Sequence, residues 1–340
     1  MIRVTHLVDD TNLGGVSRVV TDHTAHLARG FVHTVRAVDT TNPRGVHVDG
    51  DIAVLHFTVN WAKLPFLAAL RARAGAARLV LVEHSYTASY ERLMVRNRRR
   101  FRRMLRLNYA LVHRVVAVSW AQGAWLTALD ILPERKLTII PQARDTSALA
   151  AVPPAAGRDG PLRLGGYGRY AHQKGFDLLI VAMRGVSPAV ATLRLAGLGP
   201  DEDALRARAA GLPHVQVGGP VADLPAFLTG IDAAVVPSRW EAFGLVALEA
   251  RAAGRPVIAA RTDGLVEQIA PDAGLLCAPD SPHALAAAIH DLAGRDLAAM
   301  GEAARRSTAA AMGTTIDGWR NLLSSGHGMA SLPLDVARLA

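Results

Sequence analysis

Short, nearly unbroken apolar runs that end in polar residues constrain this chain more than any other feature. In the first half they lie at 2–8, Asp51–His56, Arg78–Glu83, Arg114–Ser119 and Lys136–Ile140. Runs of Val, Ile and Leu without alternation read as strands buried on both faces, which means a parallel sheet covered by helices. The glycine turn at 12–17 leads into a helix expected over residues 16–29. The pattern resumes at Leu162–Gly166, Thr192–Ala196, Val215–Val217, Ala233–Val236 and Pro256–Ala260. Between the two sets, Ser147–Gly160 shifts to Ala, Pro and Gly, the composition of an interdomain linker. The reading is α/β, with two parallel-sheet domains, and 340 residues suffice to bury two cores.

Chemistry concentrates in the second half. Glu241 and Glu249 flank Phe243-Gly244-Leu245, just after the strand that Pro237-Ser238 breaks. Gly244 lets the backbone approach a ligand, and a helix then runs to Gly254. Glu241 thus sits at a strand's C-terminal end, where open α/β sheets bind ligands. Two acceptors there suit the hydroxyls of a sugar and a ribose; a capping glutamate plus a solvated helix glutamate fits the spacing equally. Upstream, Gly168-Arg169 and Lys174-Gly175 flank a turn between a strand and a helix. Two cations beside a helix N-terminus suit a diphosphate, although basic pairs are more often merely solvated. Gly14 and Gly15 form either a phosphate-approaching turn or a plain strand–helix turn. His84 follows a strand, as a ligand-facing histidine would, yet it is one of 13 histidines. His172 reads as surface or rim, and Glu267 as a ribose contact or a helix cap, with capping preferred. Gly197-Leu198-Gly199 lacks the third glycine of a dinucleotide fingerprint.

These pieces together resemble the family 4 retaining glycosyltransferases. The carriers are Gly14-Gly15, His84, Ser119, Gly168-Arg169, Lys174-Gly175, Pro237-Ser238, Glu241 with Glu249, Ala252–Ile258 and Thr262–Glu267. The resemblance implies a GT-B fold, two Rossmann-like domains facing a central cleft. It implies domains at 1–150 and 151–315, a crossover helix at 316–325 returning to the first, and a tail at 326–340. It also implies a nucleotide-sugar donor (UDP, GDP or ADP sugar) and a lipid-linked or glycan acceptor. Arg169 and Lys174 would neutralise the diphosphate, Glu249 would take the ribose, and Glu241 with the backbone near Phe243–Leu245 would hold the sugar. The family's histidine beside the donor sugar falls on His84. Charge builds on the leaving diphosphate, so its stabilisation is the main catalytic contribution. The two cations would stand in for a metal, and no cofactor is expected. One departure is Gln142-Ala143, where the family carries the turn-favouring Asn-Gly.

Charge is uneven. Residues 1–150 hold 21 Lys/Arg against 11 Asp/Glu, while the rest is near neutral. Much of the excess lies in Arg92–Arg106, where Leu93, Phe101, Met104 and Leu105 would interrupt a cationic helix surface, with Arg96–Arg106 as the candidate membrane contact. Docking on an anionic membrane is favoured over nucleic-acid binding, because no aromatic platform is interleaved; an inert solvated helix is the third reading. The N-terminus has no basic, apolar leader pattern, no apolar run is long enough to span a bilayer, and Cys277 is the one cysteine. These point to the cytoplasm, peripheral on the membrane's inner face. The competing functions are another GT-B enzyme, an epimerase or phosphorylase, and a non-catalytic membrane or nucleic-acid binder.

Overall fold

The computed structural model describes residues 1–9, 15–44, 47–155 and 160–325. Gly14 and the tail 326–340 lie outside them. The chain divides into two compact units: Met1–Arg144 with the chain from Met312 on, and Asp145–Ala311.

The first unit carries β1 (Ile2–Val8), β2 (Phe31–Ala37), β3 (Ile52–Leu55), β4 (Arg78–Glu83), β5 (Arg114–Ala117) and β6 (Leu137–Ile139). Its helices are α1 (Gly15–His26), α2 (Leu64–Arg73), α3 (Ala88–Met94), α4 (Arg98–Ala110) and α5 (Trp120–Ala128). The strands pair in parallel in the order β2-β1-β3-β4-β5-β6. Leu7, Leu55 and Leu81, on adjacent strands, pack with Leu67 and Leu70 of α2 and Tyr109 of α4. The β2 strand escaped the sequence reading because only Phe31 of its seven residues is buried. It is an edge strand and needs no apolar run.

The second unit carries β7 (Leu162–Arg169), β8 (Ala191–Leu198), β9 (Val215–Gly218), β10 (Ala233–Val236), β11 (Val257–Ala260) and β12 (Gly274–Cys277). Its helices are α6 (Phe176–Met183), α7 (Glu202–Ala209), α8 (Leu224–Thr229), α9 (Leu245–Ala252), α10 (Pro282–Ala293) and α11 (Leu297–Thr308). The order β12-β11-β10-β7-β8-β9 is all parallel and Rossmann-like: strand order reverses between β7 and β10. Cys277 is buried, as a small core residue.

The chain then returns to the first unit as α12 (Ala311–Ser324). Thr315 donates to the Pro141 carbonyl at 2.7 Å, and Trp319 lies 6.2 Å from the His23 ring. Arg78 binds the Leu323 carbonyl at 2.7 Å and also that of Ser325, closing the exposed end of the helix.

Candidate functional site

The sequence-predicted residues of the second unit converge where β7 and β10 end, at the reversal point of the sheet. Lys174 forms an ion pair with Glu241, and both side chains are mostly buried. Ser238 reaches the same carboxylate oxygen at 3.3 Å. A Cβ placed on Gly168 would lie 4.0 Å from Lys174 Cε, and one on Gly244 would lie 3.3 Å from Glu241 Cγ. Glu249 is 5% exposed, and its Oε2 accepts a 2.9 Å bond from the Tyr167 hydroxyl. That overturns the solvated-helix reading of Glu249. Glu241 caps nothing either: the residue before α9 is Gly244, at φ 100°, with no side-chain cap.

This α9 N-terminus leaves donors open. The Phe243, Gly244, Leu245 and Val246 N–H groups bond to no acceptor among the described residues. Gln268 Nε2 instead holds the Phe243 and Gly244 carbonyls, the latter at 3.2 Å. Gln268 is itself held by buried Arg251 at 2.9 Å, whose pKa burial lowers to about 10. Arg169 ends β7, exposed and without an ion pair among the described residues. Open N–H groups at a helix start, with the Lys174–Glu241 pair close by, are an arrangement suited to an anion.

A buried arginine fixes the loops. Arg239 bonds both oxygens of Asp177 at 2.8 Å, Asp280 at 2.9 Å and the His172 carbonyl at 2.7 Å. Burial of Asp177 works against ionisation, but these bonds win and hold its carboxyl below the usual range. Gly175, at φ 66°, lets the turn pass so close to Pro237 that a Cβ would stand 2.2 Å from its carbonyl oxygen. Gly175→Ala is therefore expected to cost at least about 2 kcal/mol, from left-handed strain plus displacement of that carbonyl. A urea midpoint equal to wild type would contradict this. His172 is exposed, as expected. Glu267 is in a turn that precedes no helix, so the capping expectation fails.

His84 lies in the first unit, one residue past β4. Its loop is pinned by Glu83, whose carboxylate accepts from the Ser85 and Tyr86 N–H groups at 3.0 Å and from the Tyr109 hydroxyl at 2.8 Å. Burial still pushes the Glu83 carboxyl up. Gln122 donates to the Glu83 and Tyr86 carbonyls, and Ser119 caps α5 through the Gln122 N–H. His84 bonds His56 at 3.1 Å, a partner the sequence reading missed. Gly15 is the exposed first residue of α1.

The arginine-rich segment is not one helix. It breaks at 95–97, where Asn97 caps α4. Met104 and Leu105 are in the core, and Phe101 stacks edge-on to Tyr86 at 5.0 Å, so they interrupt no cationic face. Leu93, Met94, Leu107 and Trp61 are the exposed apolar groups there. Arg100 lies 5.9 Å over the Trp61 ring, beside an open 440 Å³ depression that Arg99 and Arg103 also line. No helix of the described residues is long and apolar enough to cross a membrane. No group of three or more His, Cys, Asp or Glu among them is placed to hold a metal ion.

Residues 161–295 match the model of the "Glycosyl transferases group 1" family. Over 133 residues the chain is 37% identical to the GDP-mannose-dependent alpha-(1-6)-phosphatidylinositol dimannoside mannosyltransferase of Mycobacterium tuberculosis, covering 38% of this chain and 34% of that protein. It is 31% identical over 226 residues to the phosphatidyl-myo-inositol mannosyltransferase of Mycobacterium leprae, 64% of this chain and 57% of that one. The chain thus spans between a third and three fifths of these relatives' lengths. Among solved structures, Anabaena HepE in complex with UDP and glucose superposes with TM-score 0.75 at 17% identity, over 96% of this chain and all of that one. Sucrose-phosphate synthase of Thermosynechococcus elongatus gives 0.75 at 21%, over 96% of this chain and all of that one. Two six-stranded parallel sheets of this order are the architecture of the GT-B fold, and the second of them lies in the segment that matches the glycosyl transferases group 1 model.

Proposed function

We propose that this chain is a retaining glycosyltransferase that moves a hexosyl group from a nucleotide sugar to a lipid-linked or glycan acceptor in cell-surface glycan assembly. The observation that carries the reading is the Lys174–Glu241 pair with the open N–H groups of α9 at the sheet's reversal point, where β7 ends in Arg169. Glu249, oriented by Tyr167, accepts the ribose hydroxyls. Lys174 and Arg169 take up the negative charge that grows on the diphosphate as the glycosidic bond breaks. Glu241 and the backbone at Phe243–Leu245 hold the sugar. The relatives named as mannosyltransferases support GDP-mannose as the first donor to test, ahead of UDP and ADP sugars.

The test is donor turnover with a panel of nucleotide sugars. Saturable turnover of one donor, with the product keeping the donor's anomeric configuration, is expected. Absence of binding to every nucleoside diphosphate in calorimetry overturns the reading. Two cations in place of a metal predict a rate unchanged by EDTA, and a rate abolished by EDTA and restored by a divalent ion contradicts this.

The acceptor side carries a membrane proposal. Arg99, Arg100 and Arg103 line one depression with Trp61, and Leu93 and Met94 of the preceding helix are exposed, the makings of an amphipathic surface for anionic headgroups. At about 1 kcal/mol per basic residue, replacing the three arginines with alanine is expected to weaken binding to anionic vesicles by ~100-fold. Equal co-sedimentation with neutral and anionic vesicles defeats the proposal.

A further inference from the structure

The first unit carries a file of four histidines. His33 is on β2, His6 on β1, His56 one residue past β3 and His84 one residue past β4, and these strands are successive neighbours in the sheet. Val4 pairs with His33, His6 with Val54, and Leu55 with Leu81. Each histidine therefore stands two residues beyond the register partner of the one before. Even offsets keep all four on one face. Their nitrogens meet in series: His33 Nδ1 to His6 Nε2 at 3.0 Å, His6 Nδ1 to His56 Nε2 at 3.0 Å, and His56 Nδ1 to His84 Nε2 at 3.1 Å.

A neutral imidazole has one N–H and one lone pair, so a ring bonded at both nitrogens donates on one side and accepts on the other. The file then has two neutral arrangements, every ring Nδ1–H or every ring Nε2–H. A mixed file sets two hydrogens or two lone pairs against each other in a buried place, where an unmade bond is costly. Charging a ring is no escape, because burial lowers the pKa of His6 to about 3 and of His84 to about 4, and pushes His56 well down. The far end decides between the two. The outer Nε2 of His33 is buried and makes no hydrogen bond within normal geometry among the described residues, while the Leu27 carbonyl near that ring favours its protonated form. Leu27 follows the last residue of α1, where carbonyls lack helical partners. A carbonyl only accepts, so the nitrogen beside it carries the hydrogen.

We propose that His33, His6 and His56 are positioning residues that lock His84 in its Nε2–H tautomer, so that His84 Nδ1 presents a lone pair. No described residue bonds that nitrogen. Because the file ends on a peptide carbonyl rather than a titratable group, it fixes orientation and does not conduct protons. Its consequence, that His84 receives a hydroxyl hydrogen from its ligand, rests on the transferase reading; the tautomer lock does not.

The experiment is two-bond ¹H–¹⁵N correlation of histidine-labelled full-length protein, free of ligand, at neutral pH. All four rings are expected as Nε2–H. In His33→Phe, on the edge strand, the Nδ1–H form of His84 should rise from undetectable to a population comparable with Nε2–H. His33→Asn, whose amide oxygen stands where Nδ1 stood and accepts from His6, should restore the single form. Any of the four rings in the Nδ1–H form in wild type overturns the proposal, as does an unchanged His84 signal in a folded His33→Phe. Neither readout uses activity, so failure of the transferase reading leaves this outcome separate.

Discussion

Lys174→Ala is expected to lower kcat for sugar transfer by ~10²–10³-fold, the usual cost of removing one group that stabilises charge developing in the transition state. In the free protein this lysine already neutralises Glu241, within a mostly buried pair. Its removal leaves a carboxylate repelling the incoming diphosphate, so donor affinity should fall as well. Lys174→Arg keeps the charge but brings a wider, planar head into a space bounded by Gly168 and Glu241, and should recover only part of the rate. Glu249→Gln is a contrasting case. It keeps an acceptor for the Tyr167 hydroxyl, so nucleotide binding should suffer more than kcat. Steady-state kinetics with calorimetric donor binding separates the two. A Lys174→Ala enzyme within about threefold of wild type would reject the phosphate role.

Acid should unfold the first unit well above the usual carboxylate range. His6 and His84 are held at about 3 and about 4 in the folded state, against ~6.5 for an unfolded histidine. Below pH 6.5 the unfolded chain binds the extra protons, so stability falls as pH falls, until each folded pKa is passed. Each fully buried histidine contributes a slope of about 1.4 kcal/mol per pH unit. The pair should therefore remove ~2 kcal/mol between pH 6 and pH 5. His84 keeps a partly exposed edge, so solvent reduces its share, and His6, at 4% exposed, carries most of the effect. His23, His33 and His56, also lowered by burial, add to it. Glu83 acts the other way in its own window, because burial makes the folded state take up its proton first. Four of the five tryptophans, Trp61, Trp120, Trp125 and Trp319, lie in this unit, so fluorescence-monitored urea melts at pH 7, 6 and 5 read the effect directly. Midpoints that do not move over that range would refute it.

What the sequence disclosed follows from physical range. Buried parallel strands announce themselves because both faces are apolar, so β1, β3, β4, β7 and β10 were legible, whereas β2, open to water on an edge, was not. Lys174, Glu241 and Glu249 were legible because their spacing along strand–loop–helix units brings them to one sheet edge. Tyr167, Arg239 and Gln268 were not, since their partners lie 82, 62 and 25 residues away and no local pattern encodes such pairings. The histidine file had a visible trace, a histidine in or just after each of the first four strands, but its meaning needed the strand order. The reading of Met104 and Leu105 as surface failed because a charged helix still needs one face for the core.

The return of α12 gives the two units different histories during synthesis. Residues 145–311 form an unbroken stretch and can close as soon as they leave the ribosome. The earlier unit waits: its Pro141 carbonyl, its His23 ring and the fork of Arg78 meet their partners only when 312–325 emerge. The first half to be translated is thus the last to be finished, and a ribosome stalled before that helix would hold a completed second sheet behind an unsealed first one.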